Sequence, residues 1–152
     1  MILNTEISLQ RGHGILRWPI ETRRLRRWAR IALENQAATL TLRLVGAEEG
    51  RQLNAQWRNI DQATNVLTFA YRSEPPWEAD IVFCQPVILA ECERASIPLV
   101  QHFAHLVIHG ILHARGMDHD VDSRAQLMEA REIALLARLR MPDPYRVMDA
   151  LA

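Results

Sequence analysis

At 152 residues the chain has room for one compact domain, expected over 1–152, and little for a second. It is 49% hydrophobic, with no apolar run near the ~20 residues of a membrane span and no apolar leader with a cleavage site. That excludes membrane and secreted classes and leaves a cytoplasmic protein as the expectation. Its 18 basic residues, all arginine, balance 18 acids, so it is not a uniformly basic nucleic-acid binder.

Residues 2–9 alternate loosely and read as an edge strand. Pro19 to about Glu34 reads as a helix, with Pro19 in its first turn and Leu25, Trp28, Ala29 and Ala32 at core spacing. Arg23, Arg24, Arg26, Arg27 and Arg30 fill the rest of that helix. They read as a solvated face, with an RNA-backbone contact as the sharper alternative. The arginines are unevenly spread: ten against five acids in residues 1–60, eight against thirteen afterwards.

Thr39–Val45 alternates as a half-buried strand, and Glu48 to about Asn59 is a short helix with Arg58 at its end. Val66–Phe69 and Ile81–Cys84 are two apolar strands, expected to pair as a hairpin across the Pro-rich loop Glu74–Glu78. Cys84 and Cys92 are too few and too far apart for a zinc ribbon, and read as reduced thiols. From about Leu99 to Arg115 runs a helix apolar nearly all round, opened by Pro98 and closed by Gly116, which should be the buried centre. The last helix is expected from Ser123, through a Ser123–Gln126 capping box, to about Arg140. The fold class is therefore α+β: a small mixed sheet packed with helices around a central buried helix.

That central helix carries the chemistry. Positions four apart lie on one helical face, so His109 and His113 can present nitrogens to a single ion. Gly116 accepts the left-handed conformation that ends a helix, letting His119 swing back as a third ligand. Three histidines leave a position for water, the pattern of a catalytic zinc site, although imidazole also suits nickel, copper and iron. His102 and His105 continue the same face and are read as pocket walls or orienting groups rather than ligands. Metzincin proteases share this spacing but place a Glu base after the first histidine. Here that residue is Gly110, which can carry no proton. Asp118 or Asp120 could accept one, though loop hydrogen bonding is the ordinary role of either.

The run His105-Leu106-Val107-Ile108-His109-Gly110-Ile111-Leu112-His113, followed by Gly116-Met117-Asp118-His119, resembles the signature of the YbeY family. Leu53-Asn54 through Arg58 to Thr64-Asn65-Val66-Leu67-Thr68-Phe69 is similar to that family's LN…R…TDVLSF stretch. Asp80-Ile81-Val82, Met128-Glu129 with Glu132, and Asp143-Pro144-Tyr145 agree in order. Asn65 stands where the family usually has Asp, and Ala79 where it usually has Gly. The resemblance implies a zinc-dependent, single-strand-specific endoribonuclease of 16S rRNA 3′-end maturation and ribosome quality control. It implies His109, His113 and His119 as the ligands of one zinc ion per chain and Arg58 as the functional arginine. Single-stranded rRNA and the small ribosomal subunit are the implied partners, with no membrane and no DNA. Three rival readings stay distinguishable: a hydrolase of another substrate such as peptide, a non-catalytic ribosome-assembly factor, and a metal carrier or sensor.

Overall fold

The computed structural model describes residues 4–146; positions 2 and 3 of the expected first strand, and both ends of the expected 1–152 domain, lie outside them. The elements run β1 (Thr5–Arg11), α1 (Thr22–Leu33), β2 (Ala38–Val45), α2 (Ala47–Arg58), β3 (Val66–Ala70), β4 (Trp77–Cys84), α3 (Gln85–Ala95), α4 (Leu99–Ala114) and α5 (Asp122–Arg138). This is the expected α+β class.

The sheet order is β1-β2-β4-β3. β1 and β4 pair with β2 in parallel, and β3 closes the far edge antiparallel to β4, with Thr68 opposite Ile81. The expected hairpin is therefore present, and β1 is an edge strand as its loose alternation suggested. Strand order was beyond sequence reasoning, because both parallel pairings join strands distant in the chain.

Four details differ from the sequence reading. The first hydrogen bonds of α1 run to the Glu21 carbonyl, so Pro19 precedes the helix instead of opening it. Ile20 and Leu25, flanking that start at staple positions, are both buried. Trp77 and Glu78 belong to β4 rather than to the loop. The parallel partner β2 extends the strand, with Trp77 opposite Ala38 and its indole nitrogen donating to Gln36 Oε1 at 2.7 Å. α5 begins at Asp122 with Val121 as its cap and no side-chain cap bond, so Ser123 and Gln126 form no capping box. Finally, α3 was missed as an element; only Ile88 and Ala95 of it are buried, too narrow a stripe to show as periodicity.

α4 is the buried centre. Phe103, Val107, Ile108, Ile111 and Leu112 are fully buried, each worth roughly 1.5–3 kcal/mol of transfer free energy. One flank meets α1, whose Leu25, Trp28, Ala29 and Ala32 are buried as their spacing required. Another meets β3 and β4 at very close range. A Cβ built on Gly110 would stand 2.9 Å from Ile81 Cγ2 and 3.4 Å from Thr68 Oγ1. The helix can lie this low on the sheet only with glycine there. Position 110 therefore points into the packing, and no side chain at it could serve as a base.

Candidate metal centre and its cleft

The C-terminal half of α4 supplies His109 and His113, one turn apart. The helix ends at Arg115, and Gly116 takes a φ of 86°. Gly116 N–H bonds to His113 O and Met117 N–H to Leu112 O, which folds the exit back over the last turn. Asp118 Oδ1 then accepts the His119 backbone N–H at 2.7 Å, pinning the loop that carries the third imidazole. Ligand nitrogens of His109, His113 and His119 all lie within 4.8 Å of one another, with ring centroids 4.7 to 5.4 Å apart. The three expected residues are brought together.

They form one wall of a cleft of about 500 Å³, whose other side is made by Arg58, Thr64, Asn65 and Thr68. Arg58 sits in the last turn of α2, which Asn59 terminates in the left-handed region at φ 59°. Its guanidinium reaches across to donate to the Thr68 carbonyl at 3.4 Å, and within the described residues that is its one hydrogen bond. The expected arginine and the three histidines thus share a cleft. Of the two acids considered as proton acceptors, Asp118 lines that cleft. Asp120 instead bonds Val121 N–H and pairs with Arg124 at 3.2 Å.

The electrostatics favour neutral imidazole. Burial, with His109 and His119 alongside, lowers the pKa of His113 to about 4, so its lone pair is available at neutral pH. Behind the histidines lies a group that sequence reasoning left without a role. Glu132 is fully buried, and its Oε2 sits 2.5 Å from His109 Nδ1. The other oxygen accepts the Tyr145 hydroxyl and lies 3.5 Å from His105 Nε2. The available signal was its register: Glu132 stands on the same stripe as buried Met128, Leu135 and Leu136. A carboxylate on an apolar stripe requires a partner.

His102 and His105 are committed elsewhere, as their exclusion from the ligand set implied. His102 Nε2 meets Glu91 Oε1 at 3.0 Å. Asn65 donates to both Glu91 oxygens, at 3.1 and 3.2 Å, while its own carbonyl oxygen accepts Val66 N–H. The amide thus supplies Glu91 with a donor that a carboxylate at 65 would lack. Burial pushes the Glu91 carboxyl up, but the bonds from His102 and Asn65 outweigh it and hold it below its ordinary range.

The family model described as Endoribonuclease YbeY matches residues 17–140. A protein of that name from Methylibium petroleiphilum is 44% identical over 140 residues, spanning 92% of this chain and 93% of its own length. Another from Albidiferax ferrireducens is 42% identical over 149 residues, spanning 95% of this chain and 100% of its own. Among solved structures, the solution structure of TM1509 from Thermotoga maritima superposes with a TM-score of 0.57 at 24% identity. That match covers 88% of this chain and 91% of the other, and is a likeness of fold. The matches run through both walls of the cleft, from Arg58 to His119, and the chain belongs to the YbeY family.

Proposed function

We propose that the chain is a metal-dependent endoribonuclease that hydrolyses phosphodiester bonds in single-stranded RNA. The observation that carries this is the meeting, across one open cleft of about 500 Å³, of three imidazole nitrogens and an arginine that has no ion pair among the described residues. The family's printed name, Endoribonuclease YbeY, supports RNA as the substrate.

His109, His113 and His119 would hold one divalent ion. The donor set fits it: three nitrogens, one kept neutral by its surroundings, with a carboxylate behind another. Zinc is our choice among the ions that suit imidazole. The chemistry such an ion supplies when bound is to lower the pKa of a coordinated water to ~7 and to polarise a phosphoryl oxygen. The chain's own residues do the rest. Arg58 presents a guanidinium fork to the scissile phosphate, where negative charge builds as the bond breaks. Asn65 and Thr68 line the same space, their side chains bonded to Glu91 and to the Gly110 carbonyl. Asp118, which lines the cleft beside His119, is our candidate proton acceptor.

The setting we propose is the cytoplasm, with 16S rRNA maturation on the small ribosomal subunit, carried out by a single domain over 1–152. Arg23, Arg26, Arg27 and Arg30 of α1 project within an arc of roughly 100° and are our candidate for contact with the rRNA backbone. No helix among the described residues is long and apolar enough to cross a membrane. Peptide hydrolysis is disfavoured by Gly110, where the metzincin base would stand and no side chain fits.

The test is cleavage of an end-labelled single-stranded RNA by wild type and His113→Ala, prepared side by side with metal content measured. Cleavage and bound metal should be lost together in the variant. Equal cleavage by both would sink the metallo-ribonuclease reading.

A further inference from the structure

Glu132 poses a question that helix packing alone leaves open. Burying a carboxylate costs several kcal/mol even when it is paired, and a leucine at this register would join α5 to α4 as well. The chain nevertheless holds a carboxyl group there, fully buried. Three groups converge on its two oxygens: His109 Nδ1 at 2.5 Å, His105 Nε2 at 3.5 Å, and the hydroxyl of Tyr145, which donates from the segment after α5. His109, His105 and Glu132 together also satisfy the spacing of a metal-binding group. A carboxyl oxygen at 2.5 Å from a ring nitrogen is, however, the geometry of a short hydrogen bond rather than of two ligands to one ion.

We infer that Glu132 is a positioning residue for His109, fixing which ring nitrogen faces the cleft, and that Tyr145 holds Glu132 in place. A carboxylate can only accept, so His109 carries its proton on Nδ1 and offers the Nε2 lone pair. The same bond stops the ring from flipping about its axis, which holds the nitrogen in place as a ligand. Among the described residues the rings of His113 and His119 have no such carboxylate partner, which makes His109 the anchored member of the three. The Asp143–Tyr145 segment then acts at a distance from the cleft. Tyr145 N–H caps onto Asp143 Oδ1 at 2.9 Å, which aims its hydroxyl at Glu132.

The inference rests on the reading of His109 as a metal ligand, and the experiment separates the two. Zn²⁺ affinity is measured by chelator competition for wild type and Glu132→Gln, an isosteric change. Wild type should bind, and the variant should bind roughly 10–100-fold more weakly. In metal-free wild type, long-range proton–nitrogen correlation spectra of the imidazoles should show His109 as the Nδ1–H tautomer. Equal affinity in the two proteins, or His109 as the Nε2–H tautomer in wild type, overturns the inference and leaves Glu132 a staple between helices. The tautomer measurement needs no variant, so it decides even if Glu132→Gln fails to fold. A wild type that takes up no metal overturns the metal reading and, with it, this inference.

Discussion

The histidines of α4 and its exit loop divide into two groups on what is nearly one helical face. At the cleft end, His113 and His119 meet His109, and among the described residues no carboxylate is bonded to either ring. At the other end, His102 and His105 lie against Glu91, Glu132 and Tyr145. His109 belongs to both, with one nitrogen on Glu132 and the ring beside His113. Residue type is the same throughout, and spacing along the helix is nearly so. What separates a candidate ligand from a structural histidine here is whether its ring still meets the other two imidazoles, as that of His109 does despite its bond to Glu132. Those carboxylates come from α3 and α5, the helices before and after α4 in the chain.

That contrast can be broken most strongly at the cleft end. Arg58→Ala should lower RNA cleavage by roughly 10²–10³-fold, the usual effect of removing one donor from a developing oxyanion. Metal content and melting temperature should stay at wild-type values, because the side chain is exposed and makes one hydrogen bond. Unaltered cleavage would remove Arg58 from the mechanism. At the closed end the effect should be one of stability. His102→Ala strips a hydrogen bond from the half-buried Glu91 carboxylate and should cost about 1–2 kcal/mol in urea denaturation, without loss of bound metal. Metal loss in that variant would show that the two groups are not separate.

The smallest effect concerns the two tyrosines. A hydrogen bond to Asp80 at 2.7 Å, with burial, pushes Tyr71 up to about 12. Burial and Glu132 push Tyr145 up as well. A folded-state pKa above the unfolded value means stability that is complete below 10.0 and is lost as pH rises through about 12. Ultraviolet titration should therefore show no tyrosinate at pH 10.0, where free phenols are half ionised. Half-ionisation of either tyrosine at that pH would mean its carboxylate bond is absent in solution.

Much of this was legible before any coordinates. Local rules are strong where one element decides the outcome. The i, i+4 pair His109 and His113 needs only helical geometry, and Gly116 needs only the steric freedom of glycine at positive φ. The core stripe of α1 and the near-continuous apolar surface of α4 likewise announce burial through periodicity alone. Arg58 was different: its spacing said only that it ended a helix, and family resemblance singled it out.

The amino-acid sequence by itself determined the central helix, its turn and the three-histidine spacing, since each depends on residues within a few positions of one another. Tertiary structure decided the rest. It brought Arg58 and Thr68 across the cleft from the histidines, made Gly110 obligatory through contact with Ile81, and gave Asn65 a carboxylate to bond. It also placed Glu132 behind His109. Each of these depends on how far apart two backbones come to rest, and that distance is set by packing between elements remote in the chain.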